Sequence, residues 1–469
     1  MDDKSRRVLN KVSLVSLVLV VLMVLVVLAY NKKDKSVEVK NNTEVTSVES
    51  SLESDTSVEN TVESDTSVEN TVDTDIENSV ENLVESNEEI DSAESGIEAL
   101  GVLDRALRYL SIITNNEVTT NTVYSPASLE IALSMAANGM TDEAKEEFER
   151  FMSSDIENLN EVYGDLISKA DEINNKNMHS SQYNNQTLHI ANSFLVKEGS
   201  LIDGNVNQEF KNTVESIYNA QVDKFTNSDK VKINQWVSDH TGGKIRELVN
   251  QEQVEGSDSM LINTAYFSDS WADEFDEYNT IKHEFKTPTG VVDCDMMFKY
   301  EDSSVGYLNH NGVEGVALNY GGDYRFIAFK PNGGLENINI TDLIESMTHE
   351  YDVTLGLPKF EAKSNLELIP ILETMGLNKI FSQTAMNNIL DNALVDMNIS
   401  NIIQKATIEL DEKGTVATAA TVVTMKLNSA FMEETNIKEV IFDEPFVYMI
   451  VNKSNDLVLF VGTVSDPTI

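Results

Sequence analysis

Apolar positions are distributed unevenly along this chain, and their pattern divides it before composition is considered. Val12 to Ala29 is a nearly unbroken apolar run preceded by Lys4, Arg6, Arg7 and Lys11. At about 1.5 Å per residue, such a run is long enough to cross a hydrocarbon core. Residues 1–11 therefore read as a basic cytoplasmic segment, and 12–30 as a transmembrane signal-anchor or a signal peptide cleaved near Ala29. Residues 31–95 lose the apolar pattern. Ser36 to Ser95 carries 18 Asp plus Glu against one lysine, Lys40, and no aromatic residue, which describes an acidic, solvated, disordered tether. Glu53–Val62 and Glu63–Val72 repeat the same ten residues, a low-complexity expansion rather than a folded repeat.

Globular patterning starts near Gly96. Ile97, Leu100, Leu103, Leu107 and Leu110 fall at helical spacing, with Arg105 and Arg108 expected on the opposite side. Ser125 can cap a helix that Pro126 opens. Leu457 to Val464, after Asn452-Lys453-Ser454-Asn455, reads as the second arm of a terminal hairpin. One stretch differs from all of these. Gly414 is followed by Thr415 to Thr421, seven small or β-branched residues without a charge. Alternation along a strand puts Thr415, Ala417, Ala419 and Thr421 on one face and Val416, Thr418 and Ala420 on the other. The composition suits a strand that must slide into a packed sheet, where a buried charge would cost on the order of several kcal/mol.

Composition narrows the function. The formal charge of −45 argues against nucleic acid as a partner, because phosphates need a basic face. A single cysteine, Cys294, excludes an internal disulfide framework and a cysteine-rich metal site. The six histidines fall in no metal-ligand spacing, and no Gly-x-Ser-x-Gly, Walker or EF-hand sequence occurs. No enzyme activity, cofactor or metal is expected.

Glu412-Lys413-Gly414-Thr415 stands between Lys405-Ala406-Thr407-Ile408-Glu409 and Asp443-Glu444-Pro445-Phe446. Together these blocks resemble the reactive-centre hinge of the serpins and its flanks. Asn121 to Leu129 resembles the start of the second serpin helix. Asn192-Ser193-Phe194-Leu195, as a strand start, is similar to a further block. Ile233 to Val237 with Thr241-Gly242-Gly243-Lys244-Ile245, Leu261 to Phe267 with Trp271, and Leu357-Pro358-Lys359-Phe360 follow in family order. The resemblance runs from near Gly96 to the carboxyl end and implies a single domain over 96–469. Its implied fold is α+β, helices around three β-sheets, with an exposed reactive-centre loop from Thr415 onward.

The implied activity is inhibition of proteases as a suicide substrate. In that family the protease cuts the loop, an acyl-enzyme forms, and insertion of the cut loop into the central sheet traps it. Serine endopeptidases are the implied targets, with papain-like cysteine proteases a second class, and the inhibitor is expected to be a monomer. It would act on the extracellular face of the membrane through residues 12–30, or in secreted form. The resemblance assigns the hinge to Glu412, Gly414, Thr415, Ala417, Ala419 and Thr421. It assigns sheet opening to Ser125, Ser128, Asn263, Gln404 and Trp271. Gln404 stands where the family usually has histidine, and Val416 where it usually has glutamate. Counting from the hinge, the scissile bond is Asn428–Ser429; counting back from Pro445 gives Glu434, and Lys426, Leu427 and Met432 are further alternatives. A non-inhibitory surface binding protein on the same fold is the alternative function, and the small, uncharged hinge argues against it.

Overall fold

Ser125 and Pro126 open a helix as their capping chemistry predicts, with Ser125 Oγ accepting from the Ser128 amide at 3.3 Å. A computed structural model describes residues 100–179, 186–198, 206–391, 396–415 and 436–469. The run 12–30, the acidic stretch 31–95, and residues 416–435 lie outside the described residues. So, therefore, do Ala417, Ala419, Thr421 and every candidate for the scissile bond, Lys426, Leu427, Asn428, Ser429, Met432 and Glu434. Among the described residues no helix is long and apolar enough to cross a membrane.

The described elements begin with α1 (Val102–Ile113), β1 (Thr122–Tyr124), α2 (Pro126–Ala137), α3 (Asp142–Met152) and α4 (Ile156–His179). Next come β2 (Thr187–Lys197), α5 (Gln208–Tyr218), β3 (Gln221–Phe225), α6 (Lys230–His240), α7 (Gln251–Gly256) and β4 (Ser259–Ser270). Strands β5 (Thr280–Thr287), β6 (Gly290–Asp302), β7 (Gly306–His310), β8 (Val313–Asn319) and β9 (Tyr324–Lys330) precede α8 (Ile340–Glu345). Then follow β10 (Asp352–Pro358), β11 (Phe360–Glu367), α9 (Ile369–Thr374), β12 (Ile402–Asp411) and β13 (Gly414–Thr415). The last three are β14 (Ile437–Ile441), β15 (Phe446–Asn452) and β16 (Val458–Val464).

These strands form three sheets, in the orders β1-β16-β15-β9-β8-β7, β14-β10-β6-β5 and β11-β12-β13-β4-β2-β3. The fold is α+β with helices around three sheets. Strands β15 and β16 are buried almost throughout, which explains why Phe446–Val451 and Val458–Val461 run apolar without alternation. They form the terminal hairpin expected from the sequence, and β16 lies inside its sheet between β1 and β15. Asn121 closes that end, its Oδ1 accepting from the amides of Ser465 at 2.8 Å and Asp466 at 3.0 Å.

Two local expectations fail. Asn192–Leu195 is the middle of β2, not its start. Arg105 does not face solvent: it is 3% exposed, and its Nε donates to Glu130 Oε1 at 2.5 Å. Tyr163 donates to the other Glu130 oxygen at 2.9 Å. On this face of α1 the buried guanidinium meets Glu130 of α2, and a cation there is tolerated only with a paired anion. Charge alone therefore misplaced the residue.

Candidate functional site

The third sheet is split. Strand β12 pairs in parallel with β4 only over Ile402–Lys405 against Leu261–Thr264. Further along, β13 separates them, Gly414 and Thr415 pairing antiparallel with Ser270 and Asp269 on one side and with Asp411 and Leu410 on the other. Gly414 has φ +146°, and a Cβ there would stand 2.1 Å from the Asp269 carbonyl oxygen, so only glycine fits. Thr415 was expected to begin the exposed loop. It is instead fully buried within the sheet, its hydroxyl 2.5 Å from the Tyr320 hydroxyl. A ladder on both sides and a partner for the side chain make that position better than solvent for a threonine.

Trp271 sits against the same turn. Its amide donates to Lys413 O at 2.9 Å and its indole N–H to Asp411 O at 3.0 Å, while the ring stacks on Tyr320 at 4.6 Å. Glu412 accepts from Thr280 at 2.7 Å and pairs with Lys359 at 2.9 Å. Burial works to raise the Glu412 carboxyl, but the bonds from Lys359 and Thr280 outweigh it and hold it below the usual carboxylate range. Glu412, Gly414, Thr415 and Trp271 are thus brought together.

Where the two strands pair directly, the polar residues converge. Gln404 Nε2 donates to Ser125 O and to Asn263 Oδ1, both at 2.9 Å, and its Oε1 accepts from the Ser125 amide at 2.8 Å. Asn263 donates in turn to Ser128 O at 2.6 Å and Asn192 Oδ1 at 2.7 Å. Gln404, Asn263 and Asn192 lie directly opposite one another on three adjacent strands, over the start of α2. Sequence reasoning missed Asn192 and Tyr320. The first could have been found as an amide interrupting an apolar strand; Tyr320, in an isolated bridge to Trp271 just after β8, gives no comparable signal. No member of the polar cluster titrates between pH 5 and 8, so this cluster supplies no proton switch.

Gln404→Leu leaves the Ser125 amide and Asn263 Oδ1 buried without these partners, at about 1–3 kcal/mol for each group. Urea unfolding of the variant should show a lower midpoint at an unchanged slope. An unchanged midpoint would show that the cluster holds nothing together.

Comparison with known proteins agrees with this geometry. The sequence model of the family described as "Serpin (serine protease inhibitor)" matches residues 102–467. Neuroserpin of Mus musculus is 27% identical over 368 residues, covering 74% of this chain and 86% of that protein. Serine protease inhibitor 2 of Anopheles gambiae is 28% identical, covering 74% and 87%. Among solved structures, Serpin48 of the insect Tenebrio molitor superposes with TM-score 0.65 at 26% identity, covering 78% of this chain and 96% of that one. Thyroxine-binding globulin in complex with thyroxine shares the fold at TM-score 0.63 and 21% identity. A family match across the whole described fold, on a chain whose third sheet is parted by Gly414 and Thr415, establishes that this protein belongs to the serpin family.

Proposed function

We propose that this chain inhibits proteases as a suicide substrate, with Gly414 onward as the strand that enters the third sheet after cleavage. The observation that carries the reading is the register of β13. Thr421 is six residues beyond Thr415, while Asn263 and Gln404 are six before Asp269 and Leu410. Continuing the ladder would therefore bring Thr421 between Asn263 and Gln404, the two residues now bonded to each other across β4 and β12. A threonine hydroxyl can donate and accept, so it can replace the bond that insertion breaks. Ala417 and Ala419 would reach the same buried face, where small side chains meet the least resistance.

The uncut fold is then a kinetic trap: most ladder bonds available to the loop are unmade until its covalent tie to β14 is cut. Residues 96–469 form the inhibitor, acting outside the cell as a monomer, either held by residues 12–30 or released. The loop would take Asn428–Ser429 as its scissile bond. Serine endopeptidases are the intended partners, with papain-like cysteine proteases as a second class. Incubating the full chain with trypsin-, chymotrypsin-, subtilisin- and papain-type enzymes should give complexes that survive SDS, with the released peptide identifying the bond. Cleavage without any stable complex would leave the non-inhibitory binding function instead.

A further inference from the structure

Asp269 is, among the described residues, a fully buried carboxyl at the point where the hinge is seated. It lies on β4 directly opposite Thr415 and is fully buried. Its Oδ2 accepts from the Gly322 amide at 3.3 Å and the neighbouring Ser270 amide also favours its charged form, while Oδ1 makes no side-chain hydrogen bond among the described residues. Lys453 is near, but its ammonium donates to Gly322 O. The other titratable groups facing the carboxyl are Tyr320, Tyr324 and Asp323. Burial pushes both tyrosine hydroxyls up, so neither supplies a charge, and Asp323 adds only repulsion. On the hinge itself, Glu412 is held by Lys359 and the Lys413 ammonium lies 3.7 Å from Glu277. Among the described residues the buried carboxyl thus has no ion-pair partner, only the more distant pull of Lys453.

We propose that Asp269 is a positioning residue that sets whether Gly414 and Thr415 sit in the sheet: protonated, it keeps them seated, and ionised, it favours their withdrawal. Burial pushes this carboxyl up from 3.8 to about 7 while the hinge covers it. Withdrawing the hinge opens the space between β4 and β12 to water, which returns the group toward its ordinary value. The seated state therefore binds the proton more tightly. Seating is fully favoured below about pH 4, weakens by up to tenfold per pH unit as pH rises, and reaches its low plateau above about pH 7. Withdrawal frees two more residues, roughly 7 Å of reach for the segment offered to a protease. That consequence rests on the inhibitory reading above, whereas the movement of the hinge does not.

The chain has two tryptophans, and Trp271 touches the hinge. Trp236 stacks on His240 at 4.2 Å and would add its own emission, so the test uses the full chain carrying Trp236→Phe. Its emission is followed from pH 5 to 8.5. The expected result is a reversible red shift of Trp271 essentially complete by about pH 7.5, and no shift once Asp269→Asn is added. Asp269→Ala serves if the Asn variant does not fold. A flat profile with Asp269 in place, or the same titration in the neutral variants, overturns the proposal. No protease is needed: a chain that titrates yet traps no protease overturns the inhibitory reading alone, and a flat titration in a chain that does trap proteases overturns the role of Asp269 alone.

Discussion

Ala417→Arg is expected to turn this chain from an inhibitor into a substrate, lowering the yield of SDS-stable complex at least tenfold while the loop is still cut. Continuing the observed register places residue 417 opposite Phe267 and Ile408, both apolar and buried. An arginine there would have to leave water with no anion to meet, at a cost of several kcal/mol, and about 1.4 kcal/mol already slows a step tenfold. Slower insertion lets the acyl-enzyme hydrolyse first. The comparison with Thr415→Arg is informative, because that arginine would lie opposite Asp269 and could pair with it. The position nearer the hinge should therefore be the milder of the two. Equal complex yields from Ala417→Arg and the unsubstituted chain, measured by gel densitometry at matched cleavage, would remove insertion from the mechanism.

Cutting the loop without trapping a protease should raise the thermal midpoint by about 10 °C or more. Insertion of Val416 to Thr421 alone adds ladder bonds to both β4 and β12, each worth about 1 kcal/mol net. A gain on the order of 10 kcal/mol moves the midpoint of a large domain by roughly 2 °C or more per kcal/mol. The direct β4–β12 pairing near Gln404 and Asn263 and their side-chain bond are lost, but the inserted strand would pair with both edges and the hydroxyl of Thr421 would meet both amides. Scanning calorimetry before and after limited cleavage measures the difference directly, and a midpoint that falls or stays would mean that the uncut sheet is already at its most stable.

Much of the fold was legible in the sequence for local reasons. Ser125 with Pro126, Gly242 and Gly243 with φ of +59° and +78°, and the apolar arms of the terminal hairpin each carry their conformation in their own chemistry. Ser125, Asn263 and Gln404 were also legible as a set, through their resemblance to a family pattern. What stayed hidden depends on partners distant in the chain. Nothing around Arg105 announces Glu130, and nothing around Thr415 announces the Tyr320 hydroxyl that draws it into the sheet. Asp269 likewise reads as an ordinary acidic residue in Ser268-Asp269-Ser270 until β13 closes over it.

The placement of β16 between β1 and β15 has a consequence for how the molecule is made. Asn121 and Ser465, bonded across that closure, are 344 residues apart in the chain. A polypeptide emerging amino end first therefore cannot complete this sheet until Val458–Val464 has been synthesised, after the hinge itself. On the inhibitory reading, the nascent chain must keep the residues after Thr415 from entering the third sheet while the first still lacks β16. On that reading, speed of final closure, more than strength of any one contact, decides how many molecules arrive with the loop still outside.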